Sequence, residues 1–250
     1  MGSYNKNNIQ ISDEFVTKRC QPALMAIEFT KHTRAIEIAE KSQLFRVPLI
    51  KEYLPEEGKL VLEYIPNLDR LSKSPILSER HLQKLAKALN AVHQGLILPD
   101  SMVLELPAKL SGPKNVFLHG DFNGENVCID RSNGELVILD WQMTSVYGGD
   151  CTFGSRLFDL LWFCTYGLWE PEKKDIFDLN RPIELAMSFL QAYIQESDCG
   201  LTYEEVFKYA KKFYGIEYSK RHFVVNIRKN ILLVVGRKLN KQFLSKLGQM

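Results

Sequence analysis

The sequence lacks several features that would assign it to particular classes of protein. It contains no run of 18 apolar residues, which excludes a conventional membrane-spanning helix, and no N-terminal apolar stretch typical of signal peptides. Its five cysteines are scattered without the close pairs found in zinc sites, which indicates reduced thiols. A net charge of +2 is too small for recognition of a polyanion by bulk charge. We therefore expect a soluble cytoplasmic protein with no membrane partner.

The chain is long and apolar enough to bury a substantial core. It has 250 residues, of which 45% are hydrophobic, so it can form one large domain or two lobes. This leaves the function to be inferred from local patterns.

One stretch combines apolar, strand-prone residues with three oxygen-bearing side chains. Asp121 stands five residues before Asn126, and a later apolar run ends at Asp140. A polar turn containing Asn133-Gly134 separates the two parts. The simplest interpretation is a short hairpin that brings Asp121, Asn126 and Asp140 together. The alternative is a surface hairpin whose polar side chains only cap the turn.

These residue types suit phosphoryl transfer. Carboxylate and amide oxygens are preferred ligands of Mg²⁺, which keeps several waters and joins protein to substrate phosphates. A separate carboxylate can orient an acceptor hydroxyl and accept its proton. Kinase-type sites divide the work in this way, with one Asp at the acceptor and an Asn and a second Asp on the metal.

The same stretch resembles the aminoglycoside phosphotransferase and choline kinase-like family. The signature of that family is His-Gly-Asp, four variable residues, Asn, and then an apolar strand ending in Asp; His119-Gly120-Asp121, Asn126 and Asp140 match all of it. The resemblance implies that Asp121 is the catalytic base and that Asn126 and Asp140 hold Mg²⁺. It also implies that His119 braces the loop and that Asp159 hydrogen-bonds back to it.

The resemblance implies a two-lobed, protein-kinase-like α+β fold. The small β-rich lobe would cover residues 4–66, and the larger, mainly helical lobe would cover residues 67–250. In the family, two strands and a phosphate-covering loop precede the strand that carries a nucleotide-binding Lys. No glycine-rich hairpin precedes Phe15 in this sequence, so the small lobe departs from the pattern and nucleotide binding is an open question.

Alternation over residues 14–20 predicts the strand that carries this Lys. Lys18 is the expected phosphate contact, with Arg19 as the alternative. Pro22 then opens a predicted helix that runs to about Ser42. In the family this helix supplies a Glu that pairs with the Lys. Three residues are candidates, and Glu28 fits the spacing best: Glu28, Glu37 and Glu40.

A predicted hairpin over residues 49–66 ends in Glu63-Tyr64-Ile65-Pro66. The resemblance implies that Glu63, Tyr64 and Ile65 form the hinge between the lobes. Their backbone groups would contact the base of ATP or GTP, so their side chains are weakly diagnostic.

Helical periodicity dominates the second half of the chain. Helices are predicted over residues 78–94, 182–197, 202–214 and 219–246, with irregular connections over 67–77 and 95–114. The resemblance implies that the acceptor binds in this region. Its aromatic residues, which include Trp162, Tyr166 and Trp169, either form the core or line the acceptor site.

Residues 206–250 contain eleven Lys and Arg residues against one acidic residue, Glu217. The pattern favours solvated helix faces, and no recognised motif supports nucleic acid as a partner. The sequence carries no signal for an oligomeric state.

The sequence thus predicts a magnesium-dependent kinase that moves the γ-phosphoryl group of ATP or GTP to a hydroxyl of a small molecule. Aminoglycosides, amino alcohols and sugars are all possible acceptors. The alternative is a non-catalytic kinase-like protein that binds a small molecule or a protein, as the missing glycine-rich loop would allow. A protein kinase is disfavoured because Asp140-Trp141-Gln142 replaces Asp-Phe-Gly.

Overall fold

The computed structural model of the chain describes residues 8–142, 144–146, 149–168, 180–197, 199–220 and 227–250. The strands are β1 (Ile9–Ile11), β2 (Phe15–Arg19), β3 (Ile50–Leu54), β4 (Lys59–Glu63), β5 (Leu68–Arg70), β6 (Asn115–Phe117), β7 (Val127–Asp130), β8 (Leu136–Ile138), β9 (Thr144–Val146), β10 (Gly149–Cys151) and β11 (Phe153–Ser155). The helices are α1 (Pro22–Ser42), α2 (Glu79–Gly95), α3 (Leu157–Tyr166), α4 (Asn180–Glu196), α5 (Tyr203–Lys220) and α6 (Ile227–Leu247).

The N-terminal part is an antiparallel sheet in the order β1-β2-β4-β3. Its register places Lys18 opposite both Ile9 and Leu60. Directly opposed residues share a face of a sheet, so these three side chains lie on the same side. Leu60 also packs against Met25 of α1, which therefore covers the part of this face around Leu60.

Helix α1 begins with Pro22 in its first turn and ends at Gln43, whose left-handed φ of 57° stops the helix. Its first half packs on the sheet, while Ala35 and Ala39 belong to the larger core of the C-terminal part. The helix thus joins the two cores. A division of the chain at residues 66–67 stays a prediction.

The C-terminal part surrounds one large hydrophobic core. Helix α2, which starts at a capping box made by Ser78 and His81, packs extensively against α4. Fully buried aromatic residues from several elements fill the centre of this core: Phe122, Trp141, Phe158, Phe163, Phe189 and Tyr193. The predicted catalytic loop joins this core through contacts of Phe122 with Phe163 and of His119 with Trp141.

The strands near Asp121 pair differently from the predicted single hairpin. β7 pairs with β8, but β6, which precedes Asp121, pairs with β11 instead. The pairing lets Phe117 pack edge-on against Phe153, with 5.2 Å between ring centroids. Asp121 consequently lies in the loop between two sheets, not on an arm of the hairpin.

A third strand joins that hairpin. The connection over residues 67–77, predicted to be irregular, contributes β5, which pairs with β7. Because β7 lies between β5 and β8, the backbone groups on both of its edges can form hydrogen bonds. A strand of three residues such as β5 is too short to be recognised from periodicity.

Some predictions fall on residues outside the described ranges. These are Trp169 of the aromatic set, residues 221–226 of the predicted helix 219–246, and Met143, Tyr147 and Gly148 after Asp140. Within the described ranges, no helix combines the length and the apolar character that crossing a bilayer requires.

We predict that Gly58→Ala destabilises the protein far more than Gly134→Ala. Both glycines have positive φ, at 57° and 74°. A Cβ at Gly58 would lie 1.9 Å from the Cys20 carbonyl oxygen, whereas one at Gly134 would meet nothing within 4 Å. Urea unfolding should show a loss of roughly 1 kcal/mol at Gly134 and roughly 3 kcal/mol at Gly58. Equal losses would contradict this account of the β3–β4 turn.

Candidate active site

Three side-chain donors hold the carboxylate of Asp121, two from the Asp121 loop, defined as residues 119–126, and one from α3. Asn123 Nδ2 donates to Oδ1 at 2.7 Å, and Trp162 Nε1 donates to the same oxygen at 3.1 Å. Asn126 Nδ2 donates to Oδ2 at 3.0 Å and to the Asp121 carbonyl at 2.9 Å. The loop therefore brings Asp121 and Asn126 into direct contact.

The Asp121 carboxyl is electrostatically unusual. Burial and the nearby negative charge of Asp140 raise its pKa, while the hydrogen bonds from Trp162, Asn123 and Asn126 oppose this rise. A carboxylate with a raised pKa has a stronger affinity for protons, as a general base requires.

Asp140 follows β8 with a left-handed φ of 55°, a conformation uncommon for residues other than glycine and often found at functional sites. Its Oδ1 forms an ion pair with Lys18 Nζ, which also contacts Glu28 Oε1 at 2.5 Å. Burial opposes ionisation of Asp140, but Lys18 lowers its pKa below the usual range. The two carboxylates outweigh the effect of burial on Lys18 and raise the pKa of its ammonium group.

The alternatives to Lys18 and Glu28 lie away from this site. Arg19 forms an exposed ion pair with Glu57 at 3.2 Å. Glu37 forms another with Arg34 at 2.7 Å, and Glu40 is exposed. Lys18 and Glu28 are thus the pair that reaches Asp140.

The residues predicted to hold a metal fit Mg²⁺. Leu139 N donates to the Asn126 carbonyl at 2.8 Å, which places Asn126 beside the strand end that carries Asp140. Within the described ranges, Asn126 Oδ1 and Asp140 Oδ2 accept no hydrogen bond, so both oxygens are free for a ligand. No cluster of three His, Cys, Asp or Glu residues occurs there. Mg²⁺ needs none, because it is commonly held by one or two protein oxygens and substrate phosphates.

Asp159 anchors the backbone of the Asp121 loop. Its Oδ2 accepts from the His119 amide at 2.8 Å, and its Oδ1 accepts from the Gly120 amide at 2.9 Å. His93, at the end of α2, lies 3.1 Å from the same carboxylate and 2.6 Å from the Tyr193 hydroxyl. These contacts outweigh the effect of burial and lower the pKa of Asp159.

His119 occupies a bracing position. Asp121 N donates to its Nδ1 at 3.3 Å, so its Nε2 carries the proton and donates to the Leu139 carbonyl at 3.1 Å. Burial and the charge of Lys31 lower its pKa to about 4, so the ring is neutral near pH 7. The ring links the loop to the residue before Asp140.

The predicted hinge is only partly available to a nucleotide. The Glu63 amide donates to Leu49 O at 2.8 Å and the Tyr64 amide donates to Glu14 O at 2.9 Å, both within the sheet region. These two amides are thus already bonded within the chain, and contact of the hinge backbone with a nucleotide base stays a prediction. The Ile65 amide donates to no other residue of the described chain.

Comparison with known proteins agrees with this geometry. Residues 100–203 match the model of the phosphotransferase enzyme family. The resemblance inferred from the sequence is confirmed over this region, which contains the Asp121 loop, Asp140 and Asp159. A search of curated protein sequences finds no significant match.

Two solved structures share the fold of the whole chain. Choline kinase LicA from Streptococcus pneumoniae superposes with a TM-score of 0.53 at 14% identity, covering 100% of this chain and 92% of that one. A choline/ethanolamine kinase family protein from Mesorhizobium loti gives 0.51 at 15% identity, covering 97% and 89%. The predicted two-lobed kinase-like fold is confirmed.

One buried residue of this site was not recognised in the sequence. Lys31 is fully buried, and its Nζ donates to the His119 carbonyl at 2.7 Å. It lies three residues after Glu28, so both occupy one face of α1. That spacing was the available signal, but a Lys in a helix is usually solvated.

We predict that stability decreases as the pH falls from about 6.5 to about 4. Burial lowers the pKa of His32 and of His119 to about 4, whereas an unfolded chain protonates histidine near pH 6.5. Between these values the unfolded state binds more protons and is favoured by acid.

His32→Gln should make this dependence shallower by about 1.4 kcal/mol per pH unit, the effect of one proton. His32 suits the test because its Nε2 lies 2.7 Å from the Pro48 carbonyl, outside the site, and Gln keeps a donor there. Urea unfolding at a series of pH values measures the slope. An unchanged slope would show that His32 is not held neutral.

Proposed function

We propose that this protein transfers the γ-phosphoryl group of ATP or GTP to a hydroxyl group of a small molecule. One observation supports the proposal: Lys18 contacts both Glu28 and Asp140 although Asp140 is far away in the chain, and Asn126 connects Asp121 to the strand end that carries Asp140. Asp121 would accept the acceptor proton, Asn126 and Asp140 would hold Mg²⁺, and Lys18 would contact the phosphates. Glu28 keeps Lys18 in place at 2.5 Å.

Mg²⁺ would offset part of the negative charge of the phosphates, and the protein would position the groups that bind the metal. Asp140 and Asn126 offer one free oxygen each, on adjacent strand ends joined by a backbone hydrogen bond. The loose transition state of phosphoryl transfer is stabilised chiefly by such fixed charges and by alignment. Lys18 contacts Asp140 directly, so the phosphate contact and the metal ligand form one unit.

A nucleotide base would lie on the sheet face that carries Lys18. Ile9 and Ile11 share that face through their pairing with Lys18 and Val16, and they are 46% and 68% exposed. Their apolar side chains offer contact area to a purine despite the missing glycine-rich hairpin. The free Ile65 amide offers a donor to the base. A further solved structure is LicA in complex with AMP, with a TM-score of 0.50, and it supports testing an adenine nucleotide first.

The acceptor would approach the free side of Asp121. The two solved structures reported above are a choline kinase and a choline/ethanolamine kinase family protein, which makes choline the first acceptor to test. Aminoglycosides and sugars belong in the same panel because the fold alone does not distinguish among hydroxyl acceptors. Neither nucleic acid nor a membrane is required by this chemistry.

We predict that calorimetry detects binding of ATP or GTP that depends on Mg²⁺ and is lost in Asp140→Ala. The substitution removes a metal ligand and the partner of Lys18. Asp140→Asn is a second variant that keeps a residue type tolerant of the left-handed backbone at φ 55°. Asp150→Ala, at an exposed carboxylate on β10, serves as the control and should bind as the wild type does. Undiminished Mg²⁺-dependent binding in both Asp140 variants would refute the metal assignment.

We further predict that Asp121→Asn lowers turnover by about 10²- to 10⁴-fold, the usual contribution of a general base. The amide keeps the size of the side chain but cannot accept the acceptor proton. Nucleotide binding should persist, because Lys18, Glu28 and Asp140 are unchanged. ADP release from MgATP with the acceptor panel measures the effect, and full activity of Asp121→Asn would remove Asp121 from its proposed role.

A kinase-like protein that binds without catalysis is the second candidate. The short connection between β1 and β2, residues 12–14, contains no glycine and favours this candidate, because such a turn would cover phosphates less completely than a glycine-rich loop. Under this hypothesis the protein binds a small molecule or a protein and shows no turnover with any acceptor. The arrangement of Lys18, Asn126 and Asp140 argues against this candidate. A protein that only binds a ligand does not need an ion-paired lysine beside two free metal-binding oxygens.

A further inference from the structure

Trp162 makes a contact that the aromatic pattern of the sequence did not indicate. Its indole Nε1 donates to Asp121 Oδ1 at 3.1 Å, while Asn123 Nδ2 donates to the same oxygen at 2.7 Å. The second oxygen, Oδ2, accepts from Asn126 Nδ2 alone, at 3.0 Å, within the described ranges. The two oxygens of Asp121 are therefore not equivalent.

We propose that Trp162 is a positioning residue that fixes the Asp121 carboxylate so that Oδ2 faces the acceptor hydroxyl. Each carboxylate oxygen can accept about two hydrogen bonds. Oδ1 is fully occupied by Trp162 and Asn123, whereas Oδ2 retains capacity for one more donor. The inference rests on the proposed function, since it specifies which atom of Asp121 would receive the acceptor proton.

The indole is itself held rigidly. Phe158 stacks against it at 5.4 Å with an interplanar angle of 25°, and Tyr166 lies 4.6 Å away. Phe213 from α5 approaches edge-on at 6.4 Å. With neighbouring rings on several sides, Trp162 is suited to act through its N–H group more than as a free stacking surface for an acceptor.

One helix controls both the backbone and the carboxylate of the Asp121 loop. Asp159 and Trp162 are three residues apart on α3, so they project from the same face. Asp159 binds the amides of His119 and Gly120, and Trp162 binds the Asp121 side chain. Rotation of the carboxylate about its Cβ–Cγ bond would break the contacts to both Oδ1 donors. The acceptor hydroxyl would thus approach Asp121 Oδ2 in a fixed orientation.

The test compares wild type with Trp162→Phe, which keeps an aromatic ring but removes the donor. ADP release from MgATP is measured with choline and with water alone as acceptors. We expect kcat with choline to fall about 10- to 100-fold, as for loss of a hydrogen bond to a charged group. The KM for MgATP and the KM for choline should each change less than about twofold. A kcat like that of wild type, or a rise in the KM for choline alone, would overturn the positioning role.

Tyr209→Phe controls for stability. It removes a buried hydrogen bond, from the Tyr209 hydroxyl to the Leu110 carbonyl at 2.8 Å, which involves no residue of the Asp121 loop. Its kcat should match that of wild type even though its Tm is lower. If Tyr209→Phe and Trp162→Phe lose activity in parallel with Tm, the effect of Trp162 is general destabilisation and the proposal fails.

A second readout is independent of turnover. In ¹⁵N-labelled protein, the Trp162 indole resonance is assigned by its loss in Trp162→Phe and then observed in Asp121→Asn. We expect this resonance to shift more than the other two indole signals. An unmoved signal would show that the contact is absent and would overturn the proposal. If wild type turned over neither acceptor, the proposed function would fail for them, and the indole signal would still decide whether Trp162 holds Asp121.

Discussion

The geometry of the site depends on the hydrogen bonds that the buried carboxylate of Asp159 accepts. A charge without solvent is costly unless donors surround it, and Asp159 has the amides of His119 and Gly120 together with His93. The same hydrogen bonds provide acceptors for the amides of His119 and Gly120, which lie in a loop and have no paired strand. Because α3 packs in the centre of the large core, its hydrogen bonds to the loop fix the loop to a rigid part of the protein.

Helix α1 extends this rigidity to the N-terminal sheet. Three of its buried polar residues contact three separate segments: Glu28 contacts Lys18, Lys31 contacts the His119 carbonyl, and His32 contacts the Pro48 carbonyl. Such residues are seldom buried without partners. The helix therefore sets the distance between Lys18 and the Asp121 loop, and this would provide the alignment that the proposed phosphoryl transfer needs.

Part of this arrangement could be predicted because its signals are local. Periodicity indicated α1, α2 and the β3–β4 hairpin, whose side chains face a core on one side. The partners of β6 and the strand β5 were missed, because strands of three residues carry too little pattern and pairing depends on distant segments. Trp162 and Lys31 were missed as contacts of the loop for a similar reason: their residue types normally indicate a core ring and a solvated charge.

The sequence by itself determined that Asp121 and Asn126 lie close together, because the hydrogen bond between them spans only five residues. It also determined that an apolar strand would end in Asp140. Only the tertiary structure decided that Lys18 meets Asp140, a residue 122 positions away, and that Glu28, not Glu37 or Glu40, joins them. Contacts at such separations are set by how α1 and the sheets pack on a common core, and burial of that core is a property of the whole chain.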